Sequence, residues 1–522
     1  MPEKSKRARR PRNRWVLARK TVQTLALALF LTLFIAAGRA GAGRDLAPYV
    51  MRIDPLVVLA HLLSSRIFLA GSALALILVL LGLMAGRAWC GWLCPLGTLL
   101  DVFSLSGWRR ALKRSSPAES QDNWDSLRSL KYGLLLTTLF AALLGNLTLL
   151  IFDPLTLLFR SLTASLWPML DQVISALEMA LYRITPLSEP VAQFDAWIRP
   201  RLLPAEPLFY REAWLFVAVF LGVILLNLLA ERFWCRYLCP LGAFMGLLAK
   251  FSVVRRRVTT DCKTCTLCTR ACPTGTIDPA KGFASDPGEC TLCLDCLEAC
   301  PRDATRFTPS LPEVSWNSYD PGRRQALAAI GTGIAALALF RSDALSKREH
   351  PHALRPPGAR ENDLLVKCLR CGECMRACPT TALQPSLAES GAEGLWTPIL
   401  IPRLGYCDYA CNACGQICPV EAIPFLELAS KRQQVIGKAY LDQNRCLAWS
   451  DHVDCIVCEE MCPLPEKAIT LSEELVPGEN RTILLPHVDR QQCIGCGICE
   501  YKCPVNGQAA IRVYVPEAEI AL

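Results

Sequence analysis

Six groups of cysteines in the second half of this chain restrict its fold more than any other feature. Each group holds four cysteines, and the fourth is always followed by proline. Four groups read Cys-x-x-Cys-x-x-Cys-x-x-x-Cys-Pro, one has an extra residue after its first cysteine, and one has a distant first cysteine. The groups are Cys262, Cys265, Cys268 and Cys272; Cys290, Cys293, Cys296 and Cys300; Cys368, Cys371, Cys374 and Cys378; Cys407, Cys411, Cys414 and Cys418; Cys446, Cys455, Cys458 and Cys462; and Cys493, Cys496, Cys499 and Cys503.

This spacing is typical of bacterial ferredoxins that hold [4Fe–4S] clusters. Three thiolates on a tight loop hold three corners of one cluster, and the fourth cysteine reaches the neighbouring cluster. We therefore expect Cys300 to complete the first group and Cys272 to complete the second. In the last four groups we expect the first to exchange its fourth cysteine with the last, and the second with the third. Zinc is disfavoured because zinc sites use isolated Cys-x-x-Cys pairs, so the sequence predicts six clusters and a role in electron transfer.

The other four cysteines lie in two nearly identical motifs. Residues 89–97 read WCGWLCPLG and residues 234–242 read WCRYLCPLG, each after a long apolar run. Each motif has too few thiols for a cluster of its own. The four thiols could meet at one end of a helix bundle and cycle as dithiol and disulfide, bind a metal, or only pack as small hydrophobes at tight turns. The candidate residues are Cys90, Cys94, Cys235 and Cys239.

The apolar runs predict a four-helix membrane domain over residues 21–254. Runs near 18–38, 67–87, 130–152 and 213–231 are each long enough to cross a bilayer. Residues 1–20 carry nine Lys or Arg against one Glu. A basic arm before an apolar helix is typical of a topology signal, so we expect no nucleic-acid partner. Positive loops then place both ends of the domain in the cytoplasm, although residues 21–43 could instead be a cleaved signal peptide.

These four runs form an internal repeat. Asp54-Pro-Leu follows the first run and Asp153-Pro-Leu follows the third, while the second and fourth runs end in the paired cysteine motifs. His61 and Arg160 each stand seven residues after the aspartate. The repeat predicts two halves related by a pseudo-two-fold axis, with related sites where they meet. We expect residues 153–187, which prolines interrupt, to form an interfacial helix on the outer face.

The remaining chain divides into a two-cluster ferredoxin domain at 255–307, a linker at 308–362 and a four-cluster domain at 363–522. Inside the linker, residues 323–341 open with Arg323-Arg324 and continue as a short apolar run. This resembles a twin-arginine export signal or a fifth helix, and both place residues 342–522 outside. If the run does not cross the membrane, all six clusters stay in the cytoplasm. The predicted fold class is thus a membrane protein: a transmembrane four-helix bundle of two repeats, bacterial-ferredoxin-like α+β iron–sulfur domains and a fifth short apolar helix.

Together these motifs resemble two known families joined in one chain. Residues 1–307 resemble the NapH/MauN membrane ferredoxin-type proteins, and more distantly NosR and CcoG. Residues 315–522 resemble the NapG/MauM ferredoxin-type proteins of the periplasm. The resemblance implies a fusion of the two in the bacterial inner membrane, with 255–307 cytoplasmic and 342–522 periplasmic.

The resemblance also implies a function, the oxidation of quinol from the membrane pool and electron delivery to a periplasmic reductase or cytochrome. Asp54, Asp153, His61 and Arg160 are candidates to orient or deprotonate quinol, because ionisable groups near a membrane are costly to bury. They could equally start interfacial helices or reach the lipid headgroups. Two alternatives are an accessory protein that delivers electrons during metal-cofactor assembly, and outward transfer from a cytoplasmic ferredoxin without quinol.

Overall fold

The structure is a computed structural model that describes most of the chain. The described residues are 14–39, 42–104, 127–199, 201, 203, 208–310, 331, 353–387, 389–476 and 481–516. Several predicted features lie outside them: most of the basic arm, the basic loop around Arg109 and Lys113, and almost all of the linker with its twin-arginine motif and fifth helix.

Residues 14–249 form a helical unit in which two Asp-Pro turns start equivalent helices. Asp54 accepts hydrogen bonds from the Leu56 and Val57 amides, and Asp153 does the same for the two amides at its own helix start. Both aspartates cap a helix whose first residue is proline, the residue best suited to that position. The helices are α1 Arg14–Ala37, α2 Ala42–Arg52, α3 Pro55–Ser65, α4 Leu74–Ala85, α5 Pro95–Val102, α6 Arg128–Leu143, α7 Pro154–Ser161, α8 Trp167–Tyr182, α9 Ser188–Ile198, α10 Ala213–Leu225 and α11 Pro240–Ala249.

Among the described residues, one helix is long and apolar enough to cross a membrane on its own. This is α1, and the bent pair Arg44–Arg52 and Pro55–Ser65, with an 87° angle, would be a second if it counts as one span. Within the predicted spans 67–87 and 130–152, the helices α4 and α6 end at Ala85 and Leu143. Gly86 and Gly145, which adopt positive φ, follow these ends and stop the helices from continuing. The predicted four-span bundle is therefore not confirmed, and it remains a prediction.

The internal repeat is visible in the backbone. Both cysteine motifs form a single π-helical turn, at Trp89–Leu93 and at Trp234–Leu238. In each turn the amide of the second cysteine donates to the carbonyl of the tryptophan, at 2.9 Å in both copies. A new helix, α5 or α11, then begins at the proline. Single π-turns are rare and often mark functional sites, so the matching pair points to a shared role.

The predicted interfacial segment 153–187 is helical through most of its length. A third π-turn, Leu162–Leu166, joins α7 to α8, so the helix continues from Pro154 to Tyr182. The apolar side chains of Val173, Leu177 and Met179 on α8 are each about 60% exposed. Such an exposed apolar row suits a surface that meets lipid or another protein.

Residues 254–309 form a small α+β domain, as the ferredoxin spacing predicts. Strands β1 Val254–Val258 and β4 Thr305–Pro309 pair antiparallel, and so do the short strands β2 Ile277–Asp278 and β3 Ala284–Ser285. Helices α12 Leu267–Ala271 and α13 Asp295–Ala299 each contain the third cysteine of one group. We call this the two-cluster domain.

Residues 353–516 form a second α+β domain, which we call the four-cluster domain. It starts before the predicted boundary at 363, because Leu354 already bridges to Leu400. The strands pair antiparallel as β5 with β6, β7 with β10, and β8 with β9. Its elements are α14 Glu361–Lys367, α15 Glu373–Ala377, β5 Leu383–Pro385, β6 Pro398–Leu400, α16 Ala413–Ile417, α17 Leu428–Arg432, β7 Lys438–Leu441, α18 Leu447–Ser450, α19 Val457–Glu460, β8 Ile469–Leu475, β9 Thr482–Val488, α20 Ile498–Lys502 and β10 Ile511–Tyr514.

The two cluster-bearing domains pack against opposite ends of α1. Near its start, Arg19 forms an ion pair with Asp295 of the two-cluster domain at 3.2 Å. Just beyond its end, Gly38 lies against Arg376 of the four-cluster domain, since a Cβ at Gly38 would be 2.7 Å from the Arg376 Cζ. A helix of 24 residues is about 36 Å long. The thiols therefore fall into two separate sets, one at each end of the helical unit.

Candidate cluster sites and the buried groups beside them

One half of the predicted exchange is visible in the two-cluster domain. Burial raises the pKa of Cys290 to about 12, the Leu292 amide opposes this shift, and the neighbouring thiols Cys272 and Cys296 add to it. Cys272 also lies close enough to Cys293 to raise the pKa of that thiol. The fourth cysteine of the first group therefore joins the three-cysteine loop of the second.

In the four-cluster domain, one cavity is lined by four thiols from two groups. They are Cys368, Cys371 and Cys374 from one group and Cys418 from the next, among apolar walls that include Leu369 and Val420. All 28 cysteines are free thiols. Four free thiols around an apolar cavity fit a [4Fe–4S] cluster. The expected exchange of the first group with the last is therefore wrong.

The second group of this domain in turn receives the fourth cysteine of the first group. Cys378, the fourth cysteine of that first group, raises the pKa of Cys411 and Cys414 and so lies beside the second group. Helices α15 and α16, which contain the third cysteines of the two groups, pack against each other. Neighbouring groups pair because the short chain between them folds back as one ferredoxin-like unit.

The last two groups of the four-cluster domain, which begin at Cys446 and Cys493, pair in the same way. Cys462 lies near Cys496 and contributes to its raised pKa, while Cys503 packs against the small core that contains Cys446. The predicted pairing of second with third is thus also wrong, although the ligand residues within each group are unchanged. Within the described part of the chain, no three His, Cys, Asp or Glu side chains lie close enough to bind a single metal ion.

The four thiols of the duplicated motifs lie together at the end of the helical unit that contacts the two-cluster domain. Cys90, Cys94, Cys235 and Cys239 are each 4–7% exposed and belong to one apolar core. Burial raises the pKa of Cys239 well above its usual value, and the charges of Cys235, Cys90 and Cys94 raise it further. The structure therefore brings the four predicted thiols into one buried site, with two thiols from each repeat.

Two arginines complete this site, and the sequence analysis missed them. Arg87 donates to the Cys235 carbonyl at 3.1 Å, and Arg232 donates to the Cys90 carbonyl at 3.1 Å. Each arginine thus reaches across to the cysteine of the other repeat. Both are at most 2% exposed and stand three residues before their own motif's first cysteine. Extending the repeat two letters upstream, to Arg-x-Trp-Cys, would have found them.

The thiol site directly contacts a cluster loop of the two-cluster domain. The indole of Trp92 donates to the Leu292 carbonyl at 2.9 Å. Gly91 is required here, because a Cβ would lie 2.0 Å from the Thr291 carbonyl oxygen. Thr291 and Leu292 stand between Cys290 and Cys293, so the duplicated motif and the cluster loop are in van der Waals contact.

A buried charge cluster fastens the same junction. Glu289 pairs with Lys131 at 2.5 Å and with Arg87 at 3.1 Å, and all three side chains are at most 5% exposed. Burial raises the pKa of Glu289, but Lys131 and Arg87 outweigh it and lower the pKa below its usual value. Glu289 is therefore held as a carboxylate between two cations.

At the opposite end, Asp54 and Asp153 face each other. Both are fully buried, and each uses one carboxyl oxygen to cap its helix. The other oxygens, Asp54 Oδ2 and Asp153 Oδ1, have no donor among the described residues. Burial raises the pKa of Asp54 to about 6 and that of Asp153 further, because the two carboxyls adjoin each other. Two adjoining buried carboxyls disfavour each other's ionised form.

His61 and Arg160 occupy equivalent repeat positions but different surroundings. Arg160 lies over the Trp396 ring at 4.0 Å and so contacts the four-cluster domain. His61 lines a small cavity, and its Nε2 atom has no partner in the described structure. Burial, with Lys367 and Arg52 nearby, lowers the pKa of His61 to about 4. His61 is thus a neutral imidazole, whereas Arg160 has a packing role.

The cavity beside His61 adjoins the thiol-lined cavity of the four-cluster domain. Leu369, Pro419 and Val420 line both. The His61 cavity is small, about 10 Å³, which suits one water molecule. A single layer of side chains therefore separates His61 from the nearest candidate cluster.

Known families match parts of the chain. Residues 67–114 and 212–259 both match a family described as a 4Fe-4S binding domain, and 453–507 match a 4Fe-4S dicluster domain. These two segments contain the second apolar run and the cysteine motif of each repeat. The dicluster segment spans most of the third and fourth cysteine groups, which the structure also joins.

Curated relatives are ferredoxin-type proteins. The methylamine utilization ferredoxin-type protein MauM of Methylorubrum extorquens is 39% identical over 202 residues, 37% of this chain and 89% of the relative. The ferredoxin-type protein NapG of Escherichia coli is 36% identical over 191 residues, 36% of this chain and 78% of the relative. Protein NirI of Paracoccus denitrificans is 34% identical over 238 residues, 45% of this chain and 27% of that protein. No solved structure matches the chain.

Proposed function

The chain belongs to the family of ferredoxin-type iron–sulfur proteins that includes MauM and NapG, and on this premise we propose that it is a membrane-bound quinol dehydrogenase module. In this proposal six [4Fe–4S] clusters are bound by the 24 cysteines of the six groups. Each cluster would accept one electron at a time. The electrons leave the membrane quinol pool and reach a periplasmic reductase or cytochrome.

The observation that carries the proposal is the position of His61 next to the nearest candidate cluster site. Leu369, Pro419 and Val420 line both the His61 cavity and the neighbouring cavity, which is lined by the thiols of Cys368, Cys371, Cys374 and Cys418. A quinol hydroxyl at His61 would thus stand one side-chain layer from an electron acceptor. The quinol ring is larger than the cavity, so it would lie at the cavity mouth.

Exposed apolar side chains lie close to His61 along the chain. Leu62 follows His61 on α3, and Ile67 and Phe68 lie in the loop after α3, where Phe68 is 66% exposed. Apolar side chains exposed at the predicted outer edge of the bilayer suit contact with a lipid-soluble ring. Quinol would therefore approach from the lipid side and place one hydroxyl against the His61 imidazole.

The buried ionisable groups suit the proton chemistry of quinol oxidation. Losing two electrons, a quinol also releases two protons. The unpartnered Nε2 of neutral His61 can accept the hydrogen bond of a quinol hydroxyl and then its proton. Asp54 caps the same helix that carries His61, and its pKa, raised to about 6 by burial, makes it a second buried group able to exchange a proton.

The arrangement of the domains supports the proposed topology. The two-cluster domain and the four-cluster domain contact opposite ends of α1, which at about 36 Å is longer than the roughly 30 Å hydrocarbon core of a bilayer. If α1 spans the membrane, the two-cluster domain is cytoplasmic and the four-cluster domain is periplasmic. Electrons from the His61 site then enter the four-cluster domain directly.

The proposal is tested by comparing two histidine variants of the full chain in membranes. We expect His61→Ala to slow cluster reduction by a soluble quinol analogue at least tenfold while iron content stays constant. His487→Ala, in the four-cluster domain, is the matched control and should reduce at the wild-type rate. Equal rates in the two variants would rule out His61 as the quinol contact. Reduction by a ferredoxin but not by quinol would favour outward electron transfer from a cytoplasmic ferredoxin.

A further inference from the structure

The six cysteine groups leave four thiols without a cofactor. Cys90, Cys94, Cys235 and Cys239 come from the two copies of one motif and are all buried. The hydrogen bonds of Arg87 to the Cys235 carbonyl and of Arg232 to the Cys90 carbonyl hold the two copies side by side. Each copy alone offers only two thiols, yet each copy lies in a segment that matches a 4Fe-4S binding domain. Two thiols are too few for a cubane, whereas the two repeats together supply the four that a cubane needs.

The second thiol of each motif stands at a helix start. In the second motif the Gly242 amide donates to Cys239 Sγ at 3.1 Å. Cys94 and Cys239 also cap the N-termini of α5 and α11, which have eight and ten residues. Amide donors and helix N-termini stabilise negative charge on sulfur. The two motifs thus prepare equivalent thiolate positions on the two sides of the site.

The site is also lined by buried positive charge. Arg87 and Arg232 each hold the first cysteine of the opposite motif through its carbonyl. A Cβ at Gly242 would lie 2.7 Å from Arg87 Nη2 and 3.3 Å from Cys239 Sγ, so the guanidinium flanks the thiol. A cluster bound by four thiolates is anionic, and hydrogen bonds and charge around its sulfurs set its potential. Each arginine also pairs with a carboxylate, Arg87 with Glu289 and Arg232 with Asp101, so the two would offset only part of that charge.

The site lies where an electron could be exchanged. Trp92 and Gly91, inside the first motif, contact Leu292 and Thr291 of the loop between Cys290 and Cys293. Among the residues that the structure describes, this loop and the first motif are in direct contact. An electron acceptor here would stand beside a cluster of the two-cluster domain, at the end of the helical unit away from His61.

We propose that Cys90, Cys94, Cys235 and Cys239 jointly bind a seventh [4Fe–4S] cluster across the interface of the two repeats. The motif is duplicated because neither half can hold the cluster alone. The bound cluster is the redox partner of the Cys290 loop, and its assembly fixes the two repeats together. This goes beyond the quinol reaction, and it stands or falls independently of His61.

The test counts iron and sulfide in the full chain, purified anaerobically in detergent and reconstituted with iron and sulfide to saturation. With four irons per cluster, we expect about 28 irons in the wild type. The double variant Cys90→Ser with Cys235→Ser removes one ligand from each repeat and should hold about 24. The matched control, Trp89→Phe with Trp234→Phe, changes the neighbouring residue of each motif and keeps all four thiols, so it should hold the wild-type count.

Two further measurements keep the test decisive if the double variant accumulates poorly. Native mass spectrometry of the wild type alone distinguishes seven clusters from six. The single variant Cys94→Ser should give the EPR signal of a three-iron cluster after oxidation, as expected when a cubane loses one cysteine ligand. A wild type that saturates at six clusters, together with no loss of iron in the double variant, overturns the proposal and leaves the thiols as packing or dithiol residues.

Discussion

Replacing Glu289 with leucine should loosen the two-cluster domain from the helical unit. Glu289 is the shared carboxylate between Lys131 and Arg87, with N–O distances of 2.5 and 3.1 Å and little solvent exposure. Removing one partner of a buried pair typically costs about 3–5 kcal/mol, because the other charge stays buried without compensation. At about 1.4 kcal/mol per factor of ten, docking should weaken roughly 10²- to 10⁴-fold.

Hydrogen exchange of the peptide around Thr291 and Leu292 measures this docking, because both residues contact the helical unit. Glu298→Leu is the matched control, since Glu298 is an exposed glutamate in the same domain and should leave exchange unchanged. Adding Lys131→Met to Glu289→Leu should restore part of the protection, because an apolar pair replaces the unpaired cation. If Glu289→Leu exchanges no faster than Glu298→Leu, the ion cluster does not hold the domains together.

Three other predictions follow from the same contacts. Cys418→Ser should disturb the cluster bound by the Cys368 group and leave the Cys493 group intact; selective loss of the Cys493 signal would restore the pairing of first group with last. Arg160→Ala should cost about 1–2 kcal/mol of attachment of the four-cluster domain, because a desolvated cation–π contact with Trp396 at 4.0 Å is lost; thermal unfolding of that domain measures it. Because the pKa of His61 is lowered to about 4, the His61 contribution to quinol oxidation should stay constant from pH 7 to 5 and fall only as pH approaches 4, whereas a loss near pH 6 reports Asp54; a fall centred near 6.5 that persists in an Asp54→Asn variant would show a solvated histidine.

The spacing identifies candidate ligands within each group but not the partner group, for a physical reason. The spacing of Cys368, Cys371 and Cys374 is a local property of one loop, so the residues can be read directly. Which distant thiol completes the set depends on how α15 packs against α16, and that contact leaves no mark in the spacing. Similar spacing of the first and last groups therefore led to the wrong pairing, while adjacency in the chain gave the right one.

The internal repeat predicted which residues occupy equivalent positions, but it did not predict the contacts that these residues make. It placed Asp54 and Asp153 as equivalent helix caps, and the structure shows them adjoining each other. It also aligned His61 with Arg160, yet the four-cluster domain covers Arg160 with Trp396 and leaves the His61 ring nitrogen unpartnered. Contacts made by a later domain cannot be read from the repeat itself.

Apolar length overestimated the helices. The run at 67–87 contains only the 12-residue helix Leu74–Ala85, because Gly71 and Gly86 adopt positive φ and interrupt it. A hydropathy average does not detect such breaks, because it depends on the composition of a segment and not on the length of the helix within it.

The most direct test of the account is freeze-quench EPR of the full chain in lipid vesicles, mixed anaerobically with a quinol analogue. The account predicts that quinol reduces clusters of the four-cluster domain before those of the two-cluster domain, because His61 adjoins the cavity of Cys368 and Cys418. Clusters that stay oxidised with quinol but become reduced with dithionite would contradict it.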